Sequence, residues 1–274
     1  MNVADQFHLP PLLKLNEQDA GRKLIGATSG NHAEDKLADK AKTAELAEKI
    51  SHLQDVFAAN HEPKLLVILQ GMDTAGKDGT VKSVFGQLHP LAARTVAFKA
   101  PSVAEKDRDF LWRVHQEVPG KGEIVIFNRS HYEDVLISKV HGWIDDAECE
   151  RRYAHIRDFE RMLVETGTIV LKFFLHISKD EQKERLEERL VDPDKHWKFD
   201  MQDLAERVHW EAYQRAYEKA LSATDVPSAP WYVIPANSKT QRNLIIASIV
   251  FEKLNGLALK FPPGNLEYSK LVVE

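Results

Sequence analysis

Five short, almost uninterrupted apolar runs constrain this chain more than any other feature. They are KLLVILQ (64–70), RTVAFKA (94–100), EIVIFN (123–128), TIVLKFFLHI (168–177) and WYVIPA (231–236). A strand with one wet face alternates apolar and polar residues, whereas a strand covered on both faces reads as a continuous apolar run. Stretches of helical periodicity separate the runs, at about 77–88, 104–118, 147–166, 179–190 and 201–222, with a last one at about 240–256. Repeated β-α units predict a parallel five-stranded sheet with helices on both faces, joined by right-handed crossovers.

Residues 1 to about 30 are punctuated by Pro and Gly and read as extended. From Ala33 to about Ala59, the spacing of Leu46, Ile50, Leu53 and Phe57 predicts a helix. It either packs on the main domain or serves as a subunit interface, which makes a homo-oligomer an expectation. The chain thus divides into an N-terminal extension (1–60) and a main domain (61–274). Within the latter, the segment 179–222 is much longer than a minimal crossover, and it reads helix, break (DPDKHWKFD), helix. That is the shape of a lid.

The first run leads into LLVILQGMDTAGKDGT (65–80). Gly71, Gly76 and Lys77 satisfy the phosphate-loop pattern G-x-x-x-x-G-K-[ST], between a strand and a helix as that loop requires. Gly71 permits the turn, Gly76 brings backbone close to a phosphate, and Lys77 adds a full charge. Gly79 and Thr80, at the start of the helix, join the phosphate-binding candidates. Asp78 stands where the pattern has a hydroxyl, and Asp73 lies inside the loop. A carboxylate repels phosphate unless a metal ion lies between them, and Mg²⁺ commonly binds through one or two carboxylates plus substrate phosphates. Asp73 and Asp78 therefore read as metal ligands; the plainer readings are a turn-forming aspartate and a helix-start acid.

EIVIFNRSHYEDVL (123–136) is a buried strand ending in polar residues. Phosphate-loop enzymes commonly place a metal-serving aspartate at this strand end. Here Asn128 supplies an oxygen without charge, and Glu133, favoured over Asp134, supplies the acid; its plainer reading is a helix-start charge. The Arg129 fork suits a phosphate, with a structural salt bridge as its plainer role. His131 is given no direct chemical role.

The chain carries a formal net charge of −5. Such a chain repels polyanions in general, so no nucleic-acid or anionic-membrane partner is expected, and phosphate requires a local basic cleft. No apolar run approaches the ~18 residues of a membrane span. One cysteine, Cys149, excludes an internal disulfide. No secretory signal is recognised at the start of the sequence, and the expected location is cytoplasmic.

The motifs GMDTAGKDGT, LWRVHQEVPGKGEIVIFNRSHYEDVL, KFFLHISKDEQKERLEERL and HWKFDMQDL resemble polyphosphate kinase family 2, in order, from about Lys64 onward. The resemblance implies a thymidylate-kinase-like, three-layer α/β/α phosphate-loop kinase fold with a mobile lid. It implies reversible phosphoryl transfer between inorganic polyphosphate and a nucleotide, with Mg²⁺ (Mn²⁺ as the alternative ion). Asn128 followed by Glu133-Asp134 resembles the class III members, which accept both AMP and ADP and so form ADP and ATP. By resemblance, Asp73, Lys77, Asp78, Asn128, Arg129 and Glu133 are functional, the lid arginines Arg185 and Arg189 match family arginines, and Lys198 matches a family lysine. Arg185 and Arg189 share a helix face and are placed to clamp phosphoryl groups; their plainer reading is a solvated face of exposed ion pairs. Trp197 reads as packing rather than base stacking, and Arg113, Arg157 and Arg161 are further phosphate-contact candidates whose plainer reading is surface charge. The competing functions are an ATP-dependent nucleoside monophosphate kinase and a binding module, either a nucleotide-regulated switch or a polyphosphate-binding scaffold without turnover.

Overall fold

The computed structural model describes residues 2–264 and Tyr268, so the end of the main-domain span lies outside the described residues. Strands β1 (Lys64–Gln70), β2 (Ala93–Ala97), β3 (Ile124–Asn128), β4 (Thr168–His176) and β5 (Trp231–Pro235) form one sheet in the order β2-β3-β1-β4-β5. Every pairing is parallel. Central β1 has neighbours on both edges and helices on both faces, so Leu65 to Leu69 are all fully buried. That is the physical origin of the apolar run. β2 is an edge strand and only partly covered. It stops at Ala97, short of the expected Ala100, because its partner β3 ends at Asn128 and the chain there turns away.

The helices are α1 (His32–Asn60), α2 (Lys77–Thr80), α3 (Val103–Lys106), α4 (Trp112–His115), α5 (Glu133–Val140), α6 (Asp146–Glu165), α7 (Lys179–Val191), α8 (Met201–Val208), α9 (Trp210–Thr224) and α10 (Lys239–Gly256). The Asn31 side chain caps α1 by accepting from the amides of Ala33 and Glu34. Its apolar stripe, with Ile50 and Phe57 fully covered, lies against α10. The stripe is thus used inside the main fold. Phe7 and Leu9 hydrogen-bond Val233 and Trp231, covering the outer edge of β5. Among the described residues no helix is long and apolar enough to cross a membrane.

Three helical expectations need correction. The stretch 104–118 forms two single turns, α3 and α4, because Asp109 accepts from the Leu111 amide and starts a new turn. The stretch 201–222 breaks at His209: α8 is tied through Glu206 to His141, while α9 buries Trp210, Tyr217 and Leu221 beside α5 and α6. Helix α5, outside the expected helical stretches, begins inside the second motif at Glu133, where the plainer reading put a helix-start charge. α2 runs into a π-type turn over Val81–Phe85 rather than continuing as regular helix to residue 88.

Candidate active site

The loop between β1 and α2 is shaped by where its carbonyls go. Lys77 Nζ donates to the carbonyls of Gly71 (2.7 Å) and Met72 (3.3 Å). Gln182 donates to the Asp73 carbonyl at 3.1 Å, Arg185 to that of Thr74 at 2.8 Å, and Arg242 to that of Ala75 at 2.9 Å. The Gly76 carbonyl accepts from the Thr80 amide at 3.0 Å. Consecutive carbonyls are thereby held by donors behind or beneath the loop. The amides of Lys77, Asp78 and Gly79 find no protein acceptor among the described residues. Such a run of free N–H groups is an anion-binding concavity.

The glycines have separate reasons. A Cβ on Gly71 would sit 2.7 Å from the Leu175 carbonyl of neighbouring β4. Gly76 adopts φ 99°, and a Cβ there would overlap the Arg242 guanidinium. The space that Gly76 leaves is therefore filled by an arginine, where the sequence suggested only close approach to phosphate. Thr74 and Arg129 adopt φ 62° and 63°, strained values for non-glycine residues. Both positions carry candidate site chemistry, where stored strain tends to concentrate.

The second motif meets the loop. Asn128 Nδ2 donates to Asp78 Oδ1 at 2.6 Å, and Arg129 to Asp73 Oδ1 at 2.6 Å. Each aspartate keeps its other oxygen uncommitted. Glu133, half-buried, lies 3.9 Å from Arg129. Burial pushes the Glu133 carboxyl above its ordinary range, against the opposing charges of Arg129 and Lys77. Burial also lowers the Lys77 ammonium, aided by the like charge of Arg129. For Arg129, burial opposes the charge, but Glu133 and Asp73 more than offset it and hold the guanidinium above its usual value.

A cavity of about 750 Å³ opens over this centre. It brings together Asp73, Gly76, Lys77, Asp78, Gly79, Asn128, Arg129, Arg185, Arg189 and Lys198. Nine Lys and Arg residues line it against five Asp and Glu. The local excess is positive on a chain whose formal charge is −5. Gly71, Thr80 and Glu133 stand outside the lining. Thr80 is buried, and its hydroxyl faces Asn243 Oδ1 at 3.3 Å.

The two α7 arginines, expected in a lid, differ. Arg185 is 5 % exposed. It donates to Glu181, Thr74, Ala236 and Asn237, which occupies four of its five N–H groups. Arg189 joins α7 to the following segment through Asp203 (3.0 Å) and the Lys198 carbonyl (2.8 Å). Burial and nearby Asp73 push Asp203 up to about 6. Trp197, expected to pack, is 78 % exposed, with the Lys198 ammonium over its ring. Arg113, expected at the surface, is buried between Asp134 and the Lys99 carbonyl. His131 is fully buried beside Glu160, in a core network with Tyr132 and Lys172.

Sequence reasoning missed Lys99, Lys195, Asp203, Lys239 and Arg242, all of which line the cavity. Arg242 left no distinguishing signal, because it stands in a polar helix start, KTQRN, beside Lys239 and Asn243.

Residues 33–261 match the sequence profile of the family described as polyphosphate kinase 2. The chain is 51 % identical to an AMP/ADP-polyphosphate phosphotransferase of Meiothermus ruber over 84 % of this chain and 86 % of the relative. It is 40 % identical to an ADP-polyphosphate phosphotransferase of Rhodopseudomonas palustris, over 78 % of each. Among solved structures, polyphosphate kinase 2 from Arthrobacter aurescens superposes with a TM-score of 0.87 at 41 % identity, covering 98 % of this chain and 95 % of that one.

Proposed function

The chain belongs to the polyphosphate kinase 2 family, and from that premise we propose that its basic cavity carries Mg²⁺-dependent, reversible phosphoryl transfer from inorganic polyphosphate to AMP and ADP. The observation that carries this reading is the cationic excess around a loop whose carbonyls are all held away. A site for one phosphate does not need nine cations; a site where two polyanions meet does. The Meiothermus relative is named for both AMP and ADP.

The residues present fit a magnesium ion. Among the described residues no group of three or more His, Cys, Asp or Glu forms a cage. Asp73 and Asp78 each offer one free oxygen, and the Asn128 amide faces Asp78 with its nitrogen, leaving its carbonyl oxygen available. Mg²⁺ suits such a partial set because it retains waters and takes phosphate oxygens as further ligands. Asp73 and Asp78 would hold it, with Asn128 beside them and Glu133 behind; Mn²⁺ is the alternative ion. When bound, the ion offsets charge on the phosphoryl oxygens.

The protein's own part is positioning and charge. An oxygen of the acceptor's terminal phosphate forms a bond to the end phosphorus of polyphosphate as the bond to the next bridging oxygen breaks. The shortened chain leaves with that electron pair. A phosphate acceptor with a second pKa of ~6 is already ionised at neutral pH, so no strong base is required. The cavity lining contains no histidine. Lys77 and Arg129 neutralise the reacting phosphates, and the loop amides orient them. Arg189 and Lys198 close over the cavity and exclude water. We read the protein as a cytoplasmic homo-oligomer; light scattering of the purified protein tests the assembly.

The deciding assay supplies polyphosphate and Mg²⁺ with AMP or with ADP and resolves the adenylates over time. Tubes lacking polyphosphate control for adenylate disproportionation. Polyphosphate-dependent ADP from AMP and ATP from ADP is the expected result. Transfer to ADP alone would remove the dual-acceptor reading, and turnover only with ATP as donor would make the protein a nucleotide kinase.

A further inference from the structure

Arg242 carries a charge with nothing to neutralise it. Its side chain is 2 % exposed and has no carboxylate partner among the described residues. Its hydrogen bonds go to neutral oxygens, from NH1 to the Ala75 carbonyl at 2.9 Å, and from Nε and NH2 to Asn243 Oδ1 at 3.1 and 2.9 Å. Burial, aided by the like charge of Arg185, pushes the Arg242 guanidinium down to about 9. An uncompensated buried charge costs stability, so folds rarely keep one without a counter-charge. The loop is built around it. Gly76 must lack a Cβ because the guanidinium occupies that space, and a Cβ on Gly79 would lie 3.3 Å from NH2. Arg242 also lines the basic cavity, together with Lys77 and Asp78.

We propose that Arg242 is a positioning residue of the phosphate site. It holds the Ala75 carbonyl away from the cavity, and it keeps a positive charge against the loop backbone whose counter-charge is the bound phosphate. This rests on the reading that the loop holds phosphate. Phosphoryl transfer redistributes negative charge without changing its total. A cation behind the loop therefore stabilises ground state and transition state alike, and its loss raises KM with little effect on kcat.

The test uses Arg242→Met and Arg242→Lys in the full chain, with tripolyphosphate plus Mg²⁺ as the probe. Without ligand, Arg242→Met melts within a few degrees of wild type, because removal of an unpaired buried charge offsets the loss of the donors to the Ala75 carbonyl and Asn243 Oδ1. With tripolyphosphate it loses most of the wild-type rise in Tm. The Kd and KM for the polyphosphate rise roughly ten- to a hundredfold, the range for one charge-assisted contact, and kcat stays within about threefold. Arg242→Lys, assayed at pH 6.5 so that a buried ammonium keeps its proton, recovers most of the shift. A ligand-free Tm that falls while the tripolyphosphate shift survives would make Arg242 a structural strut and overturn the inference. Should the Met variant not fold, a folded Lys variant that has lost the shift overturns it equally. If wild type shows no tripolyphosphate shift, the phosphate reading falls first and the inference falls with it.

Discussion

Replacing Arg185 by Ala separates two roles that this α7 arginine can play. Its guanidinium supplies hydrogen bonds to the carbonyls of Thr74, Ala236 and Asn237 and pairs with Glu181. Truncation leaves three carbonyls without that donor, at about 1 kcal/mol or more each where water cannot enter. Against this stands the relief of the guanidinium's own burial, which lowers its pKa despite Glu181. Glu181 is 24 % exposed and can rehydrate. The net loss is about 2–4 kcal/mol. For a domain somewhat larger than 200 residues, each kcal/mol moves Tm by about 2–4 °C, so a fall of roughly 5–15 °C is expected in the absence of any ligand. Activity falls too, because the strained Thr74 loses the contact that holds it at φ 62°. The measurement is a thermal melt without substrates, set beside initial rates on polyphosphate and ADP. If Arg185→Ala melted within about 1 °C of wild type yet lost activity, the guanidinium would be a phosphate ligand and the tethering argument would fail.

Three further outcomes follow from the same geometry. In Asn128→Asp, a second carboxylate replaces the amide that donates to Asp78 at 2.6 Å; the variant should be less stable than wild type by about 1–2 kcal/mol in EDTA, with Mg²⁺ closing the gap, and a gap indifferent to Mg²⁺ places the metal elsewhere. Asp203 is raised to about 6 from an ordinary 3.8, so between those values the folded protein holds a proton that the unfolded chain has released. Wild-type stability therefore declines as pH rises through that window, and Asp203→Asn should remove the decline and be roughly 1 kcal/mol more stable at pH 7 after solvent screening and the loss of Arg189 are allowed for; parallel stability curves would refute this. Hydrogen exchange without substrates should show α8 amides opening well before those of α7, and equal rates would mean the whole segment moves as one body.

The sheet was legible because strands covered on both faces cannot hide their composition: Leu65 to Leu69 are apolar for the same reason that they are buried. Edges and breaks were less legible. β2 ends where β3 stops offering partners, and the α3/α4 break depends on an aspartate hydrogen-bonding its own backbone, which helical periodicity does not register. In the site, the acids and the lysine of the loop were readable because the loop is one contiguous stretch. Glu133 and Thr80 were named from the same motifs, yet the structure turns them behind the cavity wall, since spacing along the chain does not fix which way a side chain faces. Arg242 lies 167 residues from the carbonyl it holds, so only the fold could bring it to the loop.

Helix α7 links these observations. Gln182, Arg185 and Arg189 recur at three- and four-residue intervals and share one face. The first two hold the Asp73 and Thr74 carbonyls, while the third grips Asp203 and the Lys198 carbonyl. The near half of the helix therefore belongs to the floor of the site, and only its far end to the cover. A cover hinged at Lys179 would have to pull Arg185 out of the loop each time the cavity opened, disrupting the loop amides proposed to hold phosphate. A hinge beyond Arg189, near Asp192, where the backbone leaves the helix in an extended conformation, lets the cover open by breaking a few polar contacts and leaves the loop formed. A site that must admit a long polyanion benefits from that division, because the proposed phosphate-binding floor remains organised while the chain enters.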